Sequence, residues 1–394
     1  MKILVLSFYY TPDLSAGSFR MSALVDSLLD QLPPGAEIEI ITTLPNRYIS
    51  FSNDALQHER SGVVEIHRVA LPAHKSGMVD QAKAFLSYAK GVMRLTRHKR
   101  YDLVYGTSSR LMTAALAALV SRLKRVPLYL DIRDIFVDTI KDVLPGRIAR
   151  PLSPVFSLLE QWTVRRASKV NLVSEGFSGY FTARYPRSAF SYFTNGIDRE
   201  FLNIPHSADV APKPVATVLY AGNIGEGQGL HLVVPELARR LHGSHRFLII
   251  GDGGRLALLR EEVARLGVSN VDILPPVRRL QLIEAYRQAD ILFLHLNDHD
   301  AFKKVLPSKL FEYGATDKPI WAGLAGFSRS FCEQKLPNSA VFEPCNVDDA
   351  IAALQRISLA STPRPSFIAA YSRKAIMDQM ATDVLATLAR HSSV

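Results

Sequence analysis

The stretch VLYAGNIGEGQGL, Val218–Leu230, decides how this chain is read. Its apolar start, Val218–Tyr220, is too short for a helix and runs into glycines at 222, 225, 227 and 229, after which helical spacing begins at Leu230. A strand, a loop bent tightly by glycine and a helix make the repeating unit of a doubly wound parallel sheet, whose ligands bind at the carboxyl ends of the strands. The glycines do not spell GxGxxG, and the next strand ends in Gly251-Asp252-Gly253-Gly254 rather than in the acid of a dinucleotide site, which disfavours NAD. Gly222 and Gly251, at two strand ends side by side, offer two backbone walls to a diphosphate, with Asn223, Asp252 and Arg255 beside them.

The same alternation extends in both directions. Downstream, expected strands at Arg246–Gly251, Val271–Leu274, Ile291–Leu296 and Ile320–Ala322 are separated by helices at Leu230–Leu241, Leu256–Leu266, Leu280–Gln288 and Pro307–Gly314. Upstream, strands at Ile3–Phe8, Ile38–Thr42, Val63–Val69, Leu103–Tyr105, Leu128–Ile132 and Lys169–Val173 alternate with helices at Ser18–Leu32, Met78–Arg97 and Met112–Leu123. The class is α/β, with two Rossmann-like doubly wound sheets. The irregular text from Phe201 to Pro214 is the expected linker, giving a first domain at 1–200, a second at 215–365 and a helical segment at 366–394 that caps one domain or crosses back. A cleft at the facing strand ends is the expected active site.

Composition narrows the function classes. At 394 residues the chain is too long for one core of roughly 150 residues, and 47% apolar with 21% charged residues is a folding composition. Two cysteines exclude a disulfide framework and a cysteine metal cluster, and fit a reducing cytoplasm. The opening MKILVLSFYY meets Thr11-Pro12-Asp13 at once and reads as a first buried strand rather than a leader. The longest apolar run, Leu111–Val120, falls short of the ~20 residues that cross a bilayer, so membrane contact is expected to be peripheral. Net charge is +10, and residues 1–200 hold 26 Lys+Arg against 18 Asp+Glu.

Three places carry candidate chemistry. In PSKLFEYGATDKPI, Pro307-Ser308 opens a helix that sets Lys309 and Glu312 on one face: a carboxylate suited to ribose hydroxyls, with Ser308 and Lys309 suited to phosphate. A surface ion pair is the plain alternative. The first loop, Tyr9 to Ser18, puts Gly17 at a helix start suited to an anion or a sugar, with Arg20 one turn on, or else simply caps that helix through Ser15 or Ser18. Asp131 and Asp134, with Arg133 between them, stand at or just after a strand end, where one acid orients or deprotonates an acceptor hydroxyl and the other caps a helix.

Across nearly its full length the chain resembles the family 4 glycosyltransferases, and within them most closely the bacterial N-acetylfucosamine-type transferases of surface-polysaccharide assembly. The resemblance rests on SFYYTPDLSAGSFR, LDIRDIFVDTI, TNGID, YAGNIGEGQGL, GDGGR and PSKLFEYGATDKPI, in that order. It implies the GT-B fold, a UDP-sugar donor, a ribose-binding role for Glu312, base contacts from Pro276–Val277, and a reaction without a metal. The family's first glutamate, eight residues before the second, is Lys304 here, and its diphosphate-gripping arginine and lysine fall near Asn223 and Gln228. Replacement cations are then required, and Lys309 and Lys304 are the expected ones, ahead of Lys303 and Arg255.

Between Lys75 and Arg100 seven basic residues face one acid, Asp80. On a helix, Lys83, Lys90, Arg94 and Arg97 border an apolar side made of Met78, Ala82, Phe85, Leu86, Ala89, Val92 and Met93, a pattern suited to an anionic lipid surface or to packing on the chain's own sheet. Pro154–Arg166 is a weaker second candidate. The resulting expectation is a metal-independent, retaining transferase of an N-acetylated deoxyhexosamine from a UDP-sugar to a polyprenyl-diphosphate-linked acceptor, peripheral on the cytoplasmic face of the inner membrane. A nucleotide-sugar epimerase with the same site is the alternative. A nucleic-acid-binding protein ranks below both, since no such motif accompanies the charge.

Overall fold

A computed structural model of the chain describes residues 1–13, 15–45, 55–72, 78–108, 111–135, 137, 146–202, 204 and 213–392. It divides into two compact units, one formed by Met1–Asn195 with Arg373–Val394, the other by Gly196–Ser372.

The first unit contains β1 (Lys2–Leu6), α1 (Ala16–Leu29), β2 (Glu37–Thr43), β3 (His58–Ser61), β4 (Val64–Val69), α2 (Met78–Thr96), β5 (Leu103–Thr107), α3 (Leu111–Lys124), β6 (Leu128–Ile132), α4 (Gly146–Arg166), β7 (Lys169–Leu172), α5 (Ser178–Arg184) and β8 (Phe190–Ser191). The sheet order is β3-β4-β2-β1-β5-β6-β7-β8, parallel except for the antiparallel edge strand β3. From β4 to β7 this is the 3-2-1-4-5-6 winding, which reverses between β1 and β5 and so opens a crevice at their carboxyl ends. Every residue of β5 and β6 is buried, as strands covered on both faces require.

The second unit holds β9 (Ala216–Asn223), α6 (Leu230–Arg240), β10 (His245–Asp252), α7 (Leu256–Arg265), β11 (Val271–Leu274), α8 (Arg279–Gln288), β12 (Ile291–His295), α9 (Lys309–Gly314), β13 (Ile320–Gly323), α10 (Gly326–Lys335), β14 (Ser339–Phe342), α11 (Val347–Leu354) and α12 (Pro365–Ala370). Its order, β11-β10-β9-β12-β13-β14, is again 3-2-1-4-5-6, and all its pairings are parallel. Strand alternation splits the core in two. Leu219, Ala221, Leu292 and Leu294 face Leu310 and Phe311, while Val218, Tyr220, Ile291 and Phe293 face Leu230, Val233, Val234 and Leu237. The elements α10, β14 and α11, absent from the sequence expectations, complete this sheet.

The chain's last helix, α13 (Arg373–Ser392), returns to the first unit. Its Met377, Met380, Ala381 and Val384 pack on Met21, Leu24, Val25 and Leu28 of α1. The expected single helix after Pro365 is therefore broken, with α12 in the second unit and α13 in the first. The passage between units falls at Asn195/Gly196 and Ser372/Arg373, where Ile197 N–H donates to Tyr371 O at 2.7 Å and the entering and leaving segments run side by side. Most of the expected linker 201–214 lies outside the described residues.

Candidate functional site

In the second unit the order of strands reverses between β9 and β12, and the glycine run sits at that point. Gly222 and Gly251 are partners in register at the ends of β9 and β10, followed by the pair Asn223 and Asp252. A Cβ on Gly251 would strike Gly222 O, so only glycine lets the two strand ends approach this closely. The turn beyond is fastened from inside. Asn223 Nδ2 donates to Gln228 Oε1 at 2.8 Å, Gly225 N–H donates to the same oxygen at 3.3 Å, and Tyr220 Oη donates to Asn223 O at 2.6 Å. Asn223 and Gln228, standing where the resembled family carries cations, thus tie the turn together.

His295, at the end of β12, holds the same turn from below. Its Nε2 accepts the Cys345 N–H at 2.9 Å, which leaves Nδ1–H to donate to Gln228 O at 2.6 Å. Burial lowers its pKa to about 4, so it is neutral at physiological pH. The sequence marked this strand but not this residue, because a histidine closing an apolar run carries no signal of the turn it supports.

Lys309 and Glu312 stand on one face of α9 but are held by different neighbours. Lys309 Nζ lies against the Cα of Gly222, where a Cβ would collide with it, and 5.5 Å from the centre of the Tyr220 ring. An ammonium is thereby brought onto the glycine turn from which the family's cations are missing. Glu312 is largely buried, with 14% of its side chain exposed; its Oε2 accepts from Tyr286 Oη at 2.8 Å and its Oε1 lies 4.0 Å from Arg279 Nη1. Burial and the charge of Glu312 raise the Tyr286 pKa well above its ordinary value, which keeps that hydroxyl a donor. Arg279 also pairs with Asp198 and stacks 4.3 Å from the centre of the Phe201 ring. Since α9 is only six residues long, its helix-end field is small, and Lys309 is the main positive charge at its start. The Ser308 side chain makes no capping bond.

The remaining nucleotide-site residues divide. Pro276 and Val277 are half-buried in the loop between β11 and α8, and Lys304 is half-buried in the short turn Phe302–Lys304. Arg255, expected as a replacement cation, is exposed and pairs with Glu226, linking the two glycine-rich strand ends. Asp252 Oδ1 accepts from Gly253 N–H at 2.7 Å and shapes the second turn. Lys303 is paired with Asp300 at 2.8 Å.

The first unit corrects two assignments. Arg20, expected near a phosphate, is fully buried and clasps Asp131 through Nε at 2.8 Å and Nη2 at 3.0 Å, while its Nη1 and Nη2 donate to the carbonyls of Thr194 and Phe193 at 2.7 Å each. Asp131, expected to orient or deprotonate an acceptor, is likewise fully buried and takes a further bond from Asn171 Nδ2 at 2.7 Å. Burial alone would raise its pKa, but Arg20 outweighs it and holds the carboxyl below its ordinary value. A carboxylate so engaged is a structural counter-ion. Asp134, by contrast, is exposed. Ser15 Oγ caps α1 by accepting from Ser18 N–H at 3.1 Å, and Gly17 gives room to Arg133, whose Nη1 is buried without a hydrogen-bond partner among the described residues. The sequence reading placed Arg133 only by position.

Helix α2 packs Ala84, Tyr88, Gly91, Val92 and Thr96 inward, with Tyr88 Oη donating to Ile41 O at 2.7 Å. The expected apolar side is therefore divided. Val92 is core, whereas Leu86 and Met93 share an outward stripe with Lys83, Lys90, Arg94 and Arg97. Lys75 lies outside the described residues. Among the described residues no helix is long and apolar enough to cross a membrane.

Residues 27–196 match the model of a glycosyl transferase 4-like domain, and residues 206–374 that of glycosyl transferases group 1. The chain is 25% identical over 331 residues to WcaI of Escherichia coli (strain K12), a candidate colanic acid biosynthesis glycosyl transferase, covering 79% of this chain and 80% of that one. Among solved structures it is similar to HepE of Anabaena in complex with UDP-glucose, at a TM-score of 0.67 and 15% identity over 98% of this chain and all of that one. It is also similar to WaaG, a glycosyltransferase involved in lipopolysaccharide biosynthesis, at a TM-score of 0.63 and 13% identity over 99% and 98% of the two chains. At such identities the structural likeness is one of fold.

Proposed function

The chain belongs to the family 4 glycosyltransferases and has their GT-B fold, and we propose that it moves a sugar, an N-acetylated deoxyhexosamine such as N-acetylfucosamine, from a UDP-sugar to a polyprenyl-diphosphate-linked saccharide in surface-polysaccharide assembly. The observation that carries the nucleotide part is the Lys309 ammonium lying on the Gly222 turn, one helical turn from Glu312. The UDP and UDP-glucose complexes of HepE support a nucleotide-sugar donor.

In this reading Glu312, already oriented by Tyr286 at 2.8 Å, accepts from the ribose hydroxyls, and Pro276 and Val277 lie along the base. The close-set strand ends at Gly222 and Gly251 admit the diphosphate, and Lys309 balances its charge. As the bond from sugar to phosphate breaks, negative charge grows on the diphosphate, and a cation fixed beside it lowers the barrier without itself changing protonation. The transfer is metal-independent and retaining. In the first unit Asp134, not the sealed Asp131, orients the acceptor hydroxyl. The outward stripe of α2 holds the enzyme on the anionic cytoplasmic face of the inner membrane, where a lipid-linked acceptor resides.

The test is turnover of a panel of UDP-sugars with and without a polyprenyl-diphosphate-linked saccharide. Acceptor-dependent release of UDP from an N-acetylated deoxyhexosamine donor is expected. Conversion of the donor without acceptor and without UDP release would establish the epimerase instead.

A further inference from the structure

The edge of the first sheet gathers ligating side chains that the transfer reaction does not use. Strand β3 pairs with β4 so that His58 faces His67 and Arg60 faces Glu65, while β2 sets Glu39 opposite Glu65. Alternation along β4 sends Val64 and Ile66 into the core and leaves Glu65 and His67 on the other face. The two imidazoles stack with ring centres 4.7 Å apart and planes 20° from parallel. Stacking brings both Nε2 atoms to one carboxylate oxygen: Glu65 Oε1 lies 3.1 Å from His58 Nε2 and 3.2 Å from His67 Nε2. All three ligand atoms lie within 4.8 Å of one another.

Zinc bound to nitrogen and oxygen at about 2.0–2.2 Å in a tetrahedron sets its ligand atoms roughly 3.3–3.5 Å apart. The two short contacts here are within a small side-chain adjustment of that spacing. We propose that His58, Glu65 and His67 bind a divalent transition-metal ion of the zinc class, with Glu39 Oε1, 3.5 Å from His67 Nε2, completing the set. Two imidazoles with carboxylates form a borderline donor set, which suits zinc better than magnesium or calcium. His58 has 56% of its side chain exposed, so an ion has a path in.

Two lysines compete for the same carboxylates. Lys99 Nζ lies 2.8 Å from Glu39 Oε1 and 3.5 Å from His67 Nε2, and Lys2 Nζ lies 3.0 Å from Glu39 Oε2 and 3.9 Å from Glu65 Oε2. The ion displaces Lys99, whose side chain is one-third exposed and free to swing toward water. The consequence is mechanical: a metal bridging β2, β3 and β4 fastens the four-residue edge strand, which among the described residues is paired in the sheet with β4 and reaches β2 through the exposed Arg60–Glu37 contact.

The experiment is a titration of the untagged, chelator-stripped full chain with Zn2+ in competition with a chromophoric chelator, repeated with Co2+. Expected are one bound equivalent, the visible bands of a four-coordinate Co2+ centre, and a melting temperature raised by Zn2+ in the unmodified chain but not in His58→Ala. Affinity should fall at least thirtyfold in His67→Ala and in His58→Ala, and rise in Lys99→Gln. His58 is exposed, so its replacement leaves the fold intact and keeps the comparison valid. The absence of stoichiometric binding, or binding that both histidine variants leave unchanged, would overturn the site.

Discussion

The two units share one 3-2-1-4-5-6 winding, each carries an acid and a base on it, and they use them in opposite ways. In the first, Arg20 and Asp131 clasp each other through two hydrogen bonds, both fully buried, with Asn171 and two backbone carbonyls filling most of the remaining positions. In the second, Lys309 and Glu312 share a helix face yet answer to different neighbours, Gly222 with Tyr220 for one and Tyr286 with Arg279 for the other. Charges satisfied by one another in a dry interior hold the fold and contribute nothing to a ligand. In the proposed function, the second pair, held by separate supports, is what a ligand carrying its own charge would meet.

The largest expected effect breaks the first pair. Asp131→Ala leaves the Arg20 guanidinium buried without its counter-ion and should cost about 3–5 kcal/mol of stability, read as a large loss in the urea midpoint. A melting curve equal to that of the unmodified chain would return Asp131 to the list of catalytic candidates.

His295 gives the second unit a sealed group of its own, and its effect follows pH. The folded pKa of about 4 lies below the ordinary 6.5, so between those values the unfolded chain takes up the proton more readily. Stability should therefore fall as pH drops from 6.5 toward 4, by up to about 3 kcal/mol, and level off below. His295→Gln should flatten that part of the profile while loosening the 225–228 turn; an unaltered slope would show that another group drives it.

Glu312→Ala should weaken UDP binding by about 2 kcal/mol, near thirtyfold, and also lower stability by about 1–3 kcal/mol, because the buried Tyr286 hydroxyl loses its acceptor. Calorimetry decides this, and unchanged affinity would dissolve the contrast between the two pairs. The smallest expected effect lies on α2. A single Lys90→Gln should weaken adhesion to vesicles containing anionic phosphatidylglycerol by about 1 kcal/mol, roughly fivefold, and leave neutral vesicles unaffected. An equal change on both lipids would assign the effect to packing.

Much of the fold was legible because buried parallel strands read as short apolar runs. Leu128–Ile132 and Val271–Leu274 match their expected bounds, and the glycines at the end of β9 located the switch point of the second sheet. Among the strands that escaped, β8 spans only two residues and β3, His-Glu-Arg-Ser, has no apolar residue to mark it. For the site, local spacing placed Lys309 and Glu312 on one helix face. The same logic failed at Arg20, since a cation in the first turn after a glycine loop reads as a phosphate ligand until the fold brings Asp131 to it from 111 residues away. Tyr286 and Arg279 were equally hidden, for α8 is evenly divided between polar and apolar residues and its two useful side chains meet Glu312 only through packing.

The central claim is that Lys309 meets the diphosphate while Glu312 meets the ribose, and the affinities of UDP and uridine, measured by calorimetric competition on the unmodified chain and both variants, test it most directly. Lys309→Ala should weaken UDP at least tenfold and leave uridine unchanged, whereas Glu312→Ala should weaken both by similar factors. A Lys309→Ala chain that keeps the full preference for UDP over uridine would contradict the account.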